Sequence, residues 1–133
     1  MSEQVKWTLN IEVVDGPKMS ASKTETVDAY DKIEAEIPKK QNGAETKTVE
    51  VQPGGAGKVQ FLLIKSSAYG EKLTYKAQDD TGDSAIIKLD SIQLLIGAGA
   101  VGLLGKAPQK LIFSNELDQT ASIEILVGRK ATT

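Results

Sequence analysis

Glycine supplies the most suggestive spacing in the chain. Gly97-Ala98-Gly99-Ala100-Val101-Gly102 is a G-x-G-x-x-G run directly after the apolar segment Ile92–Ile96. In a dinucleotide-binding unit the first glycine makes a tight turn, the second admits the pyrophosphate, and the third lets a helix pack close. The helix N-terminus then holds the anion. Glu116 and Asp118 even fall where a ribose-binding acid would be sought. The surroundings argue against this use. Pro108 leaves about nine residues for a crossover helix, below what a parallel connection requires. Fifteen residues follow Asp118, too few for further parallel strands. The expectation is a Gly-rich apolar loop that passes close to other backbone, because glycine has no Cβ and tolerates positive φ, with no bound nucleotide.

Two further stretches invite chemistry and lack its spacing. Gly54-Gly55-Ala56-Gly57-Lys58 resembles a phosphate loop. However, Gln52 stands where the first glycine belongs, and Val59 where Ser or Thr would hold magnesium. Asp79-Asp80-Thr81-Gly82-Asp83 gathers three carboxylates, hard ligands that suit calcium. It has neither the alternating Asp spacing nor the distal Glu of a calcium loop, and Asp and Gly are also what a turn prefers. Asp28 with Asp31, and Glu34 with Glu36, are the remaining carboxylate pairs for acid–base work. On a strand Glu34 and Glu36 would share the face opposite Ile33, Ala35 and Ile37, which is a solvated face.

Composition narrows the classes. The 133 residues contain no His and no Cys. That removes the commonest general base and metal ligand, thiolate chemistry and disulfides. A net charge of −2 speaks against general nucleic-acid binding, which needs a basic excess. The expectation is no catalytic residue, no cofactor, no resident metal, and no nucleic-acid, nucleotide or membrane partner. Residues 1–10 mix charges without an apolar run, so no signal peptide is read and a cytoplasmic or virion location is expected. The uncharged stretch between Asp90 and Lys106 is shorter than the roughly 20 residues of a membrane helix. Trp7 lies on an apolar strand face and is expected in the core, whereas Tyr69 is the ring in a loop-like setting.

A period of two runs through the elements that must position these residues. Val5, Trp7, Leu9, Ile11 and Val13 alternate with polar residues, the cleanest strand signal in the chain. Asp15-Gly16-Pro17 ends it. Met19 to Ile37 reads as two strands or one bent strand. Gln41-Asn42-Gly43 is a hairpin signal with Thr46 to Val51 as the return strand. Val59 to Ile64 is apolar on both faces, which suits a strand covered on both sides. Leu73 to Ala77, Ala85 to Leu89, Ile92 to Ile96, Lys110 to Ser114 and Ser122 to Val127 follow, and Ala98 to Leu104 is the one short helical candidate.

About nine short strands at roughly ten-residue spacing are the pattern of a sandwich or barrel. The expected fold is all-β, with residues 1–133 as a single antiparallel β-sandwich domain of jelly-roll or immunoglobulin-like type and about 8–9 strands. The uncharged segment offers a candidate interface in Leu94, Leu95, Val101, Leu103 and Leu104, since exposed apolar patches mark docking surfaces. The functional expectation is a non-enzymatic structural protein acting by self-association, as a homo-oligomer, or by docking on a larger particle. A virion decoration, cement or tail-associated subunit of phage type is the example. A small carbohydrate- or calcium-binding sandwich module is the alternative.

Overall fold

Antiparallel pairing sorts the strands into one two-stranded ribbon and two larger sheets. The structure, a computed structural model, describes residues 2–52 and 58–130. Residues 53–57, and with them most of the phosphate-loop resemblance, fall outside the described residues. In chain order the strands are β1 (Glu3–Glu12), β2 (Lys18–Val27), β3 (Ala29–Ile37), β4 (Glu45–Glu50), β5 (Lys58–Ser66) and β6 (Leu73–Asp79). Two-residue strands β7 (Gly82–Asp83) and β8 (Ile87–Lys88) lead to β9 (Gln93–Ile96). A single-turn helix α1 (Ala98–Val101) and a 3-10 turn (Gly102–Leu104) precede β10 (Lys110–Asn115) and β11 (Ala121–Lys130).

One sheet has the order β3-β11-β5-β9, the other β4-β10-β6 with β7 and β8 both paired to β6. The pairs β3·β11, β4·β10, β5·β9 and β6·β7/β8 are nested. The first half of the sandwich therefore runs antiparallel to the second as one long folded ribbon, and successive strands cross between the sheets except at β7 and β8, which stay beside β6. Of the two sandwich types expected from the sequence, this nesting is the jelly roll.

Alternation builds the core. Ala121, Ile123, Ile125 and Val127 of β11 are buried between the sheets, and β5 sets Ile64 and Leu62 beside Ile125 and Val127. The facing sheet contributes Leu73, Tyr75 and Ala77 from β6 and Leu111 and Phe113 from β10. The Tyr75 and Phe113 rings meet at 5.5 Å and 36°, within the range of favourable tilted aromatic pairs. Buried Asn115 closes one end: its Nδ2 donates to the carbonyls of Ile37, Pro38 and Gln119, each at 3.1 Å, and its Oδ1 accepts from Leu117 N at 2.9 Å. Two hydrogens serve three acceptors, so one is shared. At the other end the Arg129 guanidinium pairs with Asp31 at 2.7 Å and donates to Val51 O at 3.0 Å.

The described residues form eleven strands rather than the expected 8–9, because Gly82–Asp83 and Ile87–Lys88 pair as separate two-residue strands beside β6. Two local expectations are also corrected here. Gln41-Asn42-Gly43 does turn, with Gln41 N donating to Gly43 O at 3.3 Å, but it makes no hairpin. β3 pairs with β11 and β4 with β10, so the connection carries the chain to the opposite sheet. The glycines of the G-x-G-x-x-G run do not mark a close backbone approach, because a Cβ at Gly97, Gly99 or Gly102 would meet open space. Gly97 (φ +95°) and Gly105 (φ +87°) instead use glycine's access to positive φ to bracket the short helical turns.

Candidate functional site: a projecting arm and the sheet face at its root

β1 and β2 form a ribbon of their own, in continuous register from Glu3 opposite Val27 to Glu12 opposite Lys18. Val13 to Pro17 close it: Gly16 N donates to Val13 O at 2.7 Å and Val13 N to Pro17 O at 2.9 Å. Asp15 takes φ +60°, a conformation that Asp accepts more readily than most residues. The odd positions put Val5, Trp7, Leu9 and Ile11 on one face, with Ala21 and Met19 opposite the outer two and Glu25 and Lys23 opposite Val5 and Trp7. Lys6, Thr8, Asn10, Ser20, Ser22, Thr24 and Thr26 take the other. The ribbon is amphipathic, yet its apolar face is largely bare. Ile11 is 53% exposed, Val13 58%, Met19 73%, and Val14 at the tip 84%.

Trp7 therefore does not belong to the core, contrary to the expectation from its strand. It sits half-buried on the arm, and its Nε1 donates to Glu25 Oε2 at 3.1 Å. Lys23 Nζ lies 3.7 Å from the same oxygen. Alternation identified the apolar face correctly; among the described residues no other element covers it beyond its root at Val27.

The root of the arm rests on the outer face of the β3-β11-β5-β9 sheet. After Val27 the chain bends at Asp28, whose N donates to Arg129 O at 2.8 Å, and continues as β3. Met19 to Ile37 is thus two strands joined by a one-residue bend, as the interrupted alternation suggested. Val27 is buried over Gly128, where a Cβ would stand 2.9 Å from Val27 Cγ1 and 3.3 Å from Phe61 Cβ. Glycine is required there by the close approach. Val27 and Phe61 are buried but lie outside the main core cluster.

Two apolar rows cross this outer face next to the root. Tyr30, Gly128, Phe61 and Ile96 form one, and Leu126, Leu63 and Leu94 form the other beside Lys32. The third row, Glu34, Glu124 and Lys65, is charged, with Lys65 Nζ 3.7 Å from Glu124 and Lys32 Nζ 3.6 Å from Glu34. Tyr30 and Leu94 are exposed, and Leu63, Leu126 and Ile96 are half-buried. β5 does read apolar on both faces, as expected, but only its inner face and the Phe61 end of its outer face are covered.

The five residues of the expected interface separate in the structure. Val101 and Leu104 are sealed into the core, and Leu95 is half-buried against it. Leu94 is exposed on β9, within the outer-face patch, and Leu103 is 82% exposed at the end of the helical turns. Sequence reasoning missed Leu63, Leu126 and Tyr30. The double-faced apolar pattern of β5 was the signal that pointed toward them.

Other candidate chemistry is engaged locally. The Thr81 hydroxyl and backbone N–H donate to Asp79 Oδ1 at 2.6 and 2.7 Å, and with Lys106 nearby they hold the Asp79 carboxyl below its ordinary pKa. Lys106 Nζ also donates to Thr81 Oγ1 at 2.8 Å. These contacts make a self-contained turn. Among the described residues no three carboxylates converge as a metal site. Glu34 and Glu36 face solvent as expected, and Tyr69 is half-buried, its hydroxyl accepting from Ser66 N at 3.1 Å. An open cleft of about 300 Å³ lies among Val59, Ala98, Val101 and Pro108. No helix among the described residues is long and apolar enough to cross a membrane.

Comparison with family models, curated proteins and solved structures finds no match.

Proposed function

We propose that this protein is a non-enzymatic structural subunit that works by docking its arm within a larger protein assembly. The setting we favour is a phage-type virion, with the protein as a decoration, cement or tail-associated component. The observation that carries this reading is the bare apolar face of a ten-residue-per-strand ribbon standing off the sandwich. A two-stranded ribbon alone in water is marginally stable, and a contiguous exposed apolar surface marks a site of association. A chain without His or Cys supports the non-enzymatic part of the proposal. Jelly rolls occur in capsid, lectin and cupin proteins alike, so the fold supports the setting only as precedent.

The test is molar mass in solution by light scattering across a concentration series. The parent should reach at least twice its 14.2 kDa. An Ile11→Lys/Met19→Lys variant should keep its circular dichroism spectrum and remain a monomer. A parent that stays at 14.2 kDa at the highest concentration would overturn the assembly reading.

A further inference from the structure

We infer that the arm's partner is a second copy of this chain, and that the arm lies across the outer face of that copy's β3-β11-β5-β9 sheet, in reciprocal exchange. The inference rests on the assembly reading and names the occupant of its docking surface.

Three observations carry it. The first is a precedent within the chain. The odd face of the ribbon already packs on this sheet face at its root, where Val27 fits over Gly128 beside Phe61. Beyond Lys23 and Glu25, which flank Trp7 and Val5 on that face, the arm is apolar again at Leu9, Ile11, Ala21 and Met19, and the sheet is apolar at Leu126, Leu63 and Leu94.

The second is the sequence of the sheet itself. A strand apolar on both faces is the mark of one covered on both sides. β5 carries Leu62 and Ile64 inward and Phe61 and Leu63 outward, and β9 pairs with it through Leu94, Leu95 and Ile96. Among the described residues Val27 covers the outward set at Phe61, while Leu63 stays half-buried and Leu94 exposed. The charged row of Glu34, Glu124 and Lys65 limits the uncovered area to the half nearest the root, within reach of an exchanged arm.

The third is area. Ten residues per strand make a ribbon about 33 Å long and two strands make it about 10 Å wide, so one ribbon face covers roughly 330 Å². Two arms packed only on each other would cover roughly 660 Å², the size of a casual crystal contact. Two copies exchanging arms onto sheets would cover at most four such faces, roughly 1,300 Å², and roughly 1,000 Å² when only the uncharged half of each sheet is used, which is above the size of most crystal contacts. Reciprocal exchange is also the isologous, closed arrangement that most homo-oligomers adopt.

Complementation by sedimentation tests the inference. An arm variant, Leu9→Lys/Ile11→Lys, and a sheet variant, Leu94→Lys/Leu126→Lys, should each associate at least about 30-fold more weakly than the parent, the loss expected of a central interface anchor. Mixed one to one, they should form a dimer. The intact arm of the sheet variant then meets the intact sheet of the arm variant, restoring one of the two contacts. Leu94→Lys alone, at an exposed position on a short edge strand, serves if the double sheet variant does not fold. A parent that never associates overturns both the inference and the assembly reading. A parent that associates while the folded sheet variant associates equally well overturns the inference alone and points to arm-on-arm pairing. Absence of complementation between two folded variants also overturns it.

Discussion

Gly128→Ala places one methyl group at the joint between arm and sandwich. The new Cβ would stand 2.9 Å from Val27 Cγ1 and 3.3 Å from Phe61 Cβ, where carbon atoms normally rest about 3.5–4.0 Å apart. Phe61 Cβ is fixed to the backbone of β5, an inner strand of its sheet, and cannot retreat. Val27 is β-branched and stiff at χ1, so turning the side chain gives no easy escape. The ribbon must lift instead. Overpacking of this kind costs about 1–3 kcal/mol, equivalent to roughly a 5- to 150-fold rise in the population of the detached arm. Because Val27 and Phe61 lie outside the main core cluster, the loss should appear in local opening rather than in global unfolding. Native-state amide exchange on dilute protein measures this. β1 and β2 amides should exchange about 5- to 150-fold faster while those of β10 and β11 keep the parent's rates. Adding Val27→Ala should restore much of the arm's protection, a coupling expected only of residues in contact. If the core amides accelerated while the arm's did not, Gly128 would be packing the sandwich and the description of the root would be wrong.

The other expectations follow from the same assignment of arm and core. Phe113→Ala should cost about 3–5 kcal/mol in urea unfolding, whereas Trp7→Ala, half-buried on the arm, should cost about 1–2 kcal/mol, the scale of its one partly exposed hydrogen bond to a carboxylate; equal losses would return Trp7 to the core. Val101→Asp must bury a carboxylate and should unfold or aggregate, while Leu103→Asp should leave both the circular dichroism spectrum and the association of the parent unchanged. Burial pushes the Tyr75 phenol up to about 12, against about 10 in an unfolded chain. The folded state holds that proton more tightly, so the associated stability is complete below pH about 10 and is lost as pH rises toward about 12. Urea midpoints should fall less steeply over that window in Tyr75→Phe than in the parent, and parallel slopes would contradict the assignment.

Much of the fold was legible because both sheets are half-wet and alternate cleanly. β1, β6, β10 and β11 appear where Val5 to Val13, Leu73 to Ala77, Lys110 to Ser114 and Ser122 to Val127 announced them. What alternation cannot encode is who covers an apolar face. Trp7 and Ile11 carry the same signal as Ile123 and Ile125, yet only the latter find a facing sheet within the chain. Local turn chemistry misled at Gln41-Asn42-Gly43 for a related reason. A glycine turn sets the path of a few residues, whereas the crossing from β3 to β4 is decided by the long-range pairs each strand makes with β11 and β10. The candidate interface was half legible: charge-free sequence located Leu94 but also Val101 and Leu104, which are apolar because they fill the core. Leu63 and Leu126 lie in strands whose inward neighbours are equally apolar, so periodicity alone could not separate the two faces.

Cross-linking between single-cysteine variants tests the central claim most directly, because the parent chain has no Cys to interfere. Packed sheets lie about 10 Å apart, beyond the reach of a disulfide, so a bismaleimide linker of that length is the suitable reagent. Leu9→Cys reports the arm and Leu94→Cys the sheet, and the two variants are labelled and mixed at a concentration where the parent associates. The account predicts that the dominant product joins an arm cysteine to a sheet cysteine of another copy. Dominant Leu9→Cys homodimers, or no product above that of denatured controls, would contradict it.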